Sequence, residues 1–374
     1  MQGKLLLLLV ALAGQTGFSF ETTYRRAKVL VSRDQSNILQ NPHEDDHTFD
    51  RRKLSVDFQL KTHTHAHKWA NKLERDVAIN TSRYPYGRFL AKIFRMMFYG
   101  FVSIITNVMN RTVLHDEKGN LMKYCLDRDH DVGCLTISNH QSILDDPGIF
   151  TACLPWRKVT SDSLNNIVMD DGWYYALGKF SANIFRSCNC IPIHRGDLRG
   201  LEVPGLREMH NRLNGINGNG FNKKLRNKRE WGHLMIEGRL YQSWRFPEGV
   251  PKLGKFRKGA AKLIACSPPK KLIVLPVYHR GMDEIFPEEK PKGFDVNDKM
   301  AARVAAKTNS LFPKRGKTID IFVGDPIAFE DILPEEGFNF MEATDKAILD
   351  RVNERLYSSM LELEAKARKH RGEK

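Results

Sequence analysis

Short apolar runs that end in polar or Pro/Gly turns recur from residue 134 onward, and this pattern constrains the fold more than any other feature. Such runs, rich in Val, Ile and Leu, are typical of buried strands. The strand candidates are residues 134–138, 189–194, 242–246, 272–278 and 318–323. The intervals between them leave room for crossover helices. The sequence therefore predicts an α/β domain whose sheet is flanked by helices.

Two segments carry an apolar face at helical spacing. The first is residues 255–266, where Phe256, Ala260, Leu263 and Ile264 fall on one side and lysines fall elsewhere. In the second, residues 340–370, the recurring apolar residues are Ile348, Val352, Leu356, Met360 and Leu363. We expect this C-terminal helix to pack on the domain, and contact with a partner helix is an alternative.

The first strand candidate delivers a histidine to a loop, since His140 follows residues 134–138 and Asp145 comes five positions later. An imidazole can take a proton from an alcohol near neutral pH, and a carboxylate stabilises the imidazolium that forms. On a continuous helix the two side chains would lie about 140° apart. The pair therefore requires a turn, with Asp145 in the first turn of a helix that Ser142 opens as a capping box. Taken alone, such a pair is more often an ordinary loop feature.

Three later strand candidates also end in residues with useful chemistry. They are Arg195-Gly196, Phe246-Pro247-Glu248-Gly249 and Leu275-Pro276-Val277-Tyr278-His279-Arg280-Gly281-Met282. An arginine fork can bind phosphate, and a carboxylate in a Pro/Gly turn can contact a hydroxyl. Each stretch also fits an ordinary strand exit. Their repeated position at strand ends favours one shared site, because parallel sheets gather ligand sites at their carboxyl ends.

The charge balance indicates an anionic partner. The 374-residue chain has a formal net charge of +15 and a pI near 9.5, which suits either nucleic acid or a phospholipid surface. No helix-turn-helix pattern or aromatic RNA-binding signature is visible, so nucleic acid is not expected. The six cysteines lack paired zinc-ligand spacing, and we expect them to be mostly buried and reduced. No metal site is predicted.

The N-terminal region differs in character from the rest. Residues 1–20 contain Lys4, a short apolar run and small residues, and they predict a secretory signal-like leader. The apolar run is shorter than the roughly 20 residues that a membrane span requires. Residues 21–87 have little periodic hydrophobicity and predict a low-order extension.

Residues 88–109 form a membrane-interface candidate. Lys92 and Arg95 precede a charge-free run at 96–109. The residues expected to enter the interface are Phe98, Phe101, Ile104 and Ile105. A basic flank would lie at the lipid headgroups. A core helix that covers a sheet is the alternative, and the sequence does not separate the two.

Four blocks resemble, in order, the motifs of the glycerolipid acyltransferase superfamily: Asn139-His140-Gln141-Ser142-x-x-Asp145, Arg195-Gly196, Phe246-Pro247-Glu248-Gly249 and the Leu275-Pro276 strand. More narrowly, Asp145-Asp146-Pro147 and Leu275-Pro276-x-x-His279-x-Gly281-Met282 resemble the tafazzin family of phospholipid transacylases. The resemblance covers about residues 94–329. It implies a mixed sheet flanked by helices, attached to one membrane leaflet. The acyltransferase domain is then expected at 88–335, with a basic inserted loop at 211–230.

The resemblance also implies roles for individual residues. His140 would be the general base on a lysophospholipid hydroxyl, and Asp145 would hold its imidazole. Arg195 with Gly196 would bind a phosphate, and the turn that ends in Glu248 and Gly249 would shape the headgroup pocket. The donor would be a phospholipid, with no cofactor. Cardiolipin, an anionic lipid of mitochondrial membranes, would suit the basic chain.

Two departures from the family pattern keep alternatives open. The connection at residues 250–254 differs from the tafazzin one, which leaves acceptor preference undecided. The signal-like leader makes the endoplasmic reticulum or a plastid an alternative to the mitochondrion.

An acyl-CoA-dependent lysophospholipid or glycerol-3-phosphate acyltransferase would use the same His140 and Asp145. A non-enzymatic basic binder of nucleic acid or membrane is a third class. The sequence does not indicate an oligomeric state.

Overall fold

A computed structural model describes residues 87–159, 166–170, 174, 179–193, 204–216, 228–288, 312–340 and 345–373. The residues outside this description include the leader at 1–20, all of the predicted extension at 21–87 except Gly87, Arg195, Gly196 and the middle of the basic insert at 217–227. The expected domain boundaries stay predictions.

The centre of the fold is a mixed seven-stranded sheet, which confirms the predicted α/β class. The strands are β1 Arg111–His115, β2 Gly133–Ser138, β3 Asn166–Asp170, β4 Cys190–Ile193, β5 Trp231–Met235, β6 Leu272–Arg280 and β7 Thr318–Val323. Their spatial order is β1-β7-β6-β2-β5-β3-β4. The pairs from β6 through β4 are parallel, whereas β7 runs antiparallel to β6. The carboxyl ends of β2, β5 and β6 therefore meet at the middle of one sheet edge.

Four of the five predicted strands are present, and the one at 242–246 is wrong. In its place is a 3₁₀ turn, Ser243–Arg245. The Gln242 side chain donates to the carbonyl oxygens of Gln141 and Phe286, and the Ser243 N–H donates to Asp283. Pro247 follows directly and has no N–H for a ladder. These competing bonds hold the segment as a loop.

Helices cover both faces of the sheet. They are α1 Gly87–Ser103, α2 Asp145–Cys153, α3 Trp156–Val159, α4 Lys179–Ser187, α5 Pro204–Leu213, α6 Lys258–Ala265, α7 Met282–Ile285 and α8 Lys346–Arg371. A π-helical turn at Ile104–Val108 continues α1, a second lies at Met122–Leu126, and a 3₁₀ turn lies at Pro269–Lys271.

The main hydrophobic core lies between the sheet and helices α5, α6 and α8. The predicted apolar face of the C-terminal helix is in this core, with Val352, Leu356 and Met360 fully buried. The helix begins after Asp345, whose side chain accepts the Ala347 N–H at 2.8 Å. Helix α6 is shorter than predicted and begins at Lys258. The preceding residue, Arg257, has extended backbone and donates its N–H to the Ile236 carbonyl oxygen. Five of the six cysteines are buried, as predicted.

Candidate active site

The sequence-predicted pair, His140 and Asp145, lies at a strand-to-helix junction. His140 is the second residue after β2, and Asp145 is the first residue of α2. The imidazole Nδ1 lies 2.9 Å from Asp145 Oδ2. The intervening turn required by the spacing is therefore present. With Nδ1 directed to the carboxylate, Nε2 is the nitrogen that can accept a proton.

Asp145, rather than Ser142, closes the loop. Its Oδ2 atom accepts the backbone N–H groups of Gln141 at 2.5 Å and Ser142 at 2.8 Å. Half of the predicted capping box is therefore present, since the Asp145 carboxylate accepts the Ser142 N–H. The other half is absent: the helix begins at Asp145, after Leu144, and its first turn has no side-chain cap. The Ser142 hydroxyl instead accepts the Leu144 N–H at 3.4 Å, before the helix begins.

Burial sets the protonation of Asp145. The residue is fully buried, and desolvation raises the pKa of its carboxyl to about 6, although the His279 imidazole and the backbone donors of Ser142 and Gln141 oppose the rise. The nearby negative charge of Asp283 also raises the pKa of Asp145. The carboxylate is therefore ionised near neutral pH and can stabilise an imidazolium on His140.

A second carboxylate, Glu237, positions the backbone of His140. It follows β5 by two residues and is buried. One oxygen, Oε2, accepts the His140 N–H at 2.6 Å, and the other accepts the Gly254 N–H. Desolvation raises the pKa of Glu237 to about 8, opposed by these two hydrogen bonds. The sequence signal for this residue, a carboxylate and a glycine directly after an apolar run, was missed.

Asn139 joins the end of β2 to the end of β6. Its Nδ2 donates to the His279 carbonyl oxygen at 3.0 Å, and its Oδ1 accepts the His279 N–H at 2.9 Å. The Nε2 atom of the His279 imidazole lies 3.0 Å from the Asn139 carbonyl oxygen and 3.7 Å from Asp145 Oδ2. Burial lowers the pKa of His279, so this ring is neutral. His279 thus packs against the Asp145 carboxylate and holds the end of β2 beside the end of β6.

Beneath the pair lies a second buried histidine, which the sequence analysis did not assign. His233 of β5 has Nδ1 2.9 Å from Thr136 Oγ1, and its Nε2 is 3.1 Å from both Ser138 Oγ and Asp146 Oδ1. Desolvation lowers the pKa of His233 to about 3. A neutral, fully hydrogen-bonded ring of this kind fixes the floor of the site rather than exchanging protons.

The predicted headgroup turn lies farther out. Phe246 and Pro247 are half-buried, and Glu248 and Gly249 are exposed. Gly249 has a positive φ of 74°, which favours glycine. The turn is tied to the rest of the domain by Lys252 Nζ, which donates to the Pro247 carbonyl oxygen at 2.9 Å. Just upstream, the Tyr241 N–H donates to the His140 carbonyl oxygen at 2.6 Å, so the segment is continuous with the histidine loop.

Arg195 and Gly196, the predicted phosphate binders, fall outside the described residues. The strand before them, β4, ends at Ile193 and is parallel to β3. The described part of the chain therefore contains the histidine, its carboxylate and the outer turn, while the phosphate role stays a prediction.

Helix α1 and its π-helical continuation present an apolar face to solvent. Among the described residues one helix, Phe89–Val108, has the length and composition of a membrane span, and a third of it is buried. Its most exposed side chains are Phe89, Leu90, Met96, Met97, Ile104 and Val108. Of the predicted interface residues, Ile104 is exposed and Phe98 and Phe101 are half-buried. Ile105 is buried in the domain, so its assignment to the interface was wrong.

No family model matches the chain. Among curated proteins, N-acylphosphatidylethanolamine synthase of Arabidopsis thaliana is 29% identical over 230 residues, which cover 62% of this chain and 68% of that protein. The tafazzin of Dictyostelium discoideum is 26% identical over 202 residues, covering 53% and 56%. The tafazzin of Drosophila melanogaster is 24% identical over 239 residues, covering 62% and 50%. The chain thus spans about half the length of the tafazzins.

Among solved structures, a match is the 1-acyl-sn-glycerophosphate acyltransferase of Thermotoga maritima. It has 14% sequence identity and a TM-score of 0.39, and the match covers 80% of this chain and 98% of that one.

Proposed function

We propose that this chain, which is similar in sequence to tafazzins, transfers acyl chains between phospholipids, with His140 as general base. The observation that carries the proposal is the buried 2.9 Å contact between His140 Nδ1 and Asp145 Oδ2 at the carboxyl edge of the sheet. It is the arrangement that general-base activation of a hydroxyl requires.

The proposed reaction needs no group beyond the chain and its two lipids. His140 Nε2 takes the proton of a lysophospholipid hydroxyl, and the oxygen attacks the ester carbonyl carbon of the donor phospholipid. The tetrahedral intermediate then expels the donor's glycerol oxygen, which receives the same proton from His140. Asp145 stabilises the imidazolium between the two transfers. A new ester forms as an old one breaks, so the donor leaves as a lysophospholipid.

The substrate class is proposed from charge and from the resemblance. Cardiolipin carries two phosphates, and a chain with a net charge of +15 favours an anionic lipid. In this proposal Arg195 pairs with a phosphate, and the turn at Phe246, Pro247, Glu248 and Gly249 contacts the headgroup. Membrane attachment through the exposed face of α1 would bring the site to the lipid surface. The proposed location is a mitochondrial membrane, with the endoplasmic reticulum or a plastid as alternatives.

The test is transfer of a labelled acyl chain from phosphatidylcholine to lysocardiolipin, with and without CoA. We expect transfer without CoA in the wild-type protein and a loss of about 10²-fold or more in His140→Ala, as removal of a general base predicts. His130→Ala, which changes an exposed histidine, is the matched control. Near-normal transfer by His140→Ala would refute the mechanism. A strict need for acyl-CoA would instead favour the acyl-CoA-dependent acyltransferase.

A second candidate function is N-acylation of phosphatidylethanolamine. It is favoured by the 29% identity over 230 residues to the plant enzyme whose name describes that product. The same His140 would deprotonate an amine in place of a hydroxyl. Supplying phosphatidylethanolamine and lysocardiolipin together separates the two: an alkali-stable amide product supports N-acylation, and an alkali-labile ester supports the lysophospholipid reaction.

A further inference from the structure

Away from the acyl-transfer site, two imidazoles and one carboxylate converge beside the last turn of α8. His115 ends β1, Asp320 lies in β7 and His370 is in α8. Nε2 of His115 is 3.2 Å from Asp320 Oδ1, and Nε2 of His370 is 3.7 Å from the same oxygen. One ligand atom from each residue lies within 4.8 Å of the others. We propose that these three residues bind a divalent transition metal of the zinc class.

The distances suit tetrahedral zinc. Bonds of about 2.0 to 2.2 Å to nitrogen and oxygen place neighbouring ligand atoms roughly 3.3 Å apart. Both histidine-to-aspartate distances lie close to that value. The His370 side chain is half exposed, so it has the freedom to close the remaining gap. Two imidazoles and one carboxylate are a donor set that zinc takes in proteins, with a fourth position for water or another ligand.

Asp320 is held as a one-oxygen ligand. Arg371 Nε donates to its Oδ2 atom at 2.8 Å, so Oδ1 faces the two imidazoles. Arg371 is itself fixed by Glu284 at 3.0 Å and by the Thr318 carbonyl oxygen at 2.8 Å. A second group that orients a ligating carboxylate is a usual part of metal sites. Glu284 also offsets the positive charge of the guanidinium near the ion.

The ring of His115 is also fixed before any ion binds. It stacks on Phe322 with a centroid distance of 4.2 Å and an interplanar angle of 7°. The His370 ring meets it edge-on at 4.4 Å. A groove of about 550 Å³ opens beside the cluster and includes His115, Phe322 and His370 in its wall, so an ion can enter from solvent.

The proposed ion would tie the end of α8 to β1 and β7. It would lie apart from the acyl-transfer site, on the other face of the sheet. Successive side chains of a strand point to opposite faces, so the strand register shows which residues share a face. Arg280 of β6 lies opposite Asp320 in the β6–β7 ladder, so the two side chains are on the same face of the sheet. The neighbouring His279 is on the other face and points toward Asp145. The metal cluster and the catalytic pair therefore lie on opposite faces of the sheet.

The test compares Zn²⁺ binding by the full-length wild-type protein with that of His370→Ala, His115→Ala and the control His130→Ala. The chain also carries His63, His65 and His67, so the readout is the difference in bound zinc between proteins. After chelator treatment and Zn²⁺ titration, we expect His370→Ala to bind one equivalent less than wild type. Adding Zn²⁺ should raise the thermal unfolding midpoint of wild type and His130→Ala by a few degrees and leave that of His370→Ala unchanged.

Tetrahedral Co²⁺ gives a second readout, since its visible absorption reports coordination geometry. We expect the band of the wild-type protein to weaken in His370→Ala and to persist in His130→Ala. Because His370 is half exposed, we expect its replacement to leave the fold intact. If His115→Ala does not fold, the result for His370→Ala decides the test. Equal zinc stoichiometry, equal midpoint shifts and equal Co²⁺ spectra in wild type and His370→Ala would overturn the proposal.

Discussion

At the residue scale, the site separates the group that reacts from the groups that hold it. In the proposed mechanism His140 and Asp145 form the proton-transfer pair, while Glu237 accepts the His140 backbone N–H and the Asn139 side chain binds the backbone of His279. Both oxygens of Glu237 accept backbone N–H groups, one from His140 and one from Gly254. Glu237 therefore fixes where the imidazole stands without contacting the reacting atoms.

Replacement of Glu237 by Gln tests this positioning role. Above pH 8 the Glu237 carboxyl is ionised and both of its oxygens can accept, because its pKa is about 8. An amide offers one acceptor and turns a donor toward the second N–H, so at such a pH one of the two bonds is lost. We expect kcat to fall by roughly 10- to 100-fold with little change in KM, since a displaced base weakens the chemical step. Stability should fall by about 1 to 3 kcal/mol. The readouts are steady-state transfer kinetics and denaturant unfolding.

Glu336→Gln, which changes an exposed carboxylate, is the control for that experiment and should match wild type. A Glu237→Gln enzyme with wild-type kcat would show that the histidine loop holds its shape without this carboxylate. A loss of stability with unchanged kcat would assign Glu237 to folding alone.

At the element scale, helix α1 has two apolar faces. One is buried, with Arg95 donating to the Ser187 carbonyl oxygen and Tyr99 to that of Cys188. The other exposes Met97 and Ile104, each with 52% of its surface accessible. The helix therefore packs against α2 and α4 with one face and offers an apolar surface with the other, and its role at a membrane stays a prediction. A contiguous exposed apolar surface of this kind marks an interaction site.

Aspartate substitutions on the exposed face test membrane attachment. A carboxylate at Met97 or Ile104 must be desolvated to enter the interface, so Met97→Asp and Ile104→Asp together should abolish most binding to anionic vesicles in a flotation assay. Ile216→Asp, at another exposed apolar position, should bind normally. If the double variant floats with the vesicles as the wild type does, attachment lies elsewhere on the molecule.

At the scale of the whole molecule, local signals in the sequence predicted four of the strands and the contact between His140 and Asp145, whereas contacts between distant residues were not predicted. His140 and Asp145 are close in sequence, and their spacing alone requires the observed turn. The strands β1, β3 and β5 were missed because their runs contain polar residues such as His115, Asn166 and His233, whose partners come from other strands. The proposed metal cluster joins residues more than 200 positions apart, which no spacing pattern reveals.

Protonation of Asp145 couples activity to stability of the whole domain. Its pKa is about 6 when folded and near 3.8 otherwise. Between about pH 4 and 6 the folded state holds a proton that the unfolded state releases, so this group's contribution to stability falls as pH rises. The ionised form that can assist His140 is therefore the less stable one.

Asp145→Asn removes this coupling. The free energy of unfolding of the wild type minus that of the variant should decrease by about 2 to 3 kcal/mol from pH 4 to pH 6. Above pH 6 this difference should be constant. Denaturant unfolding of both proteins at a series of pH values measures the difference. A difference that is flat with pH, or that rises, would mean that Asp145 is already ionised at acidic pH in the folded protein.

The amide of Asn139 explains why the histidine motif begins with an asparagine. Both its donor and its acceptor are used by the backbone of one residue, His279, in the neighbouring strand. It therefore does with a side chain what a further pair of ladder bonds would do, and prolongs the sheet by one step. Aspartate has no donor for this purpose, and glutamine is one methylene too long. The proposed base, His140, therefore stands on an extension of the rigid sheet, and in the proposed reaction the lipids must be brought to it.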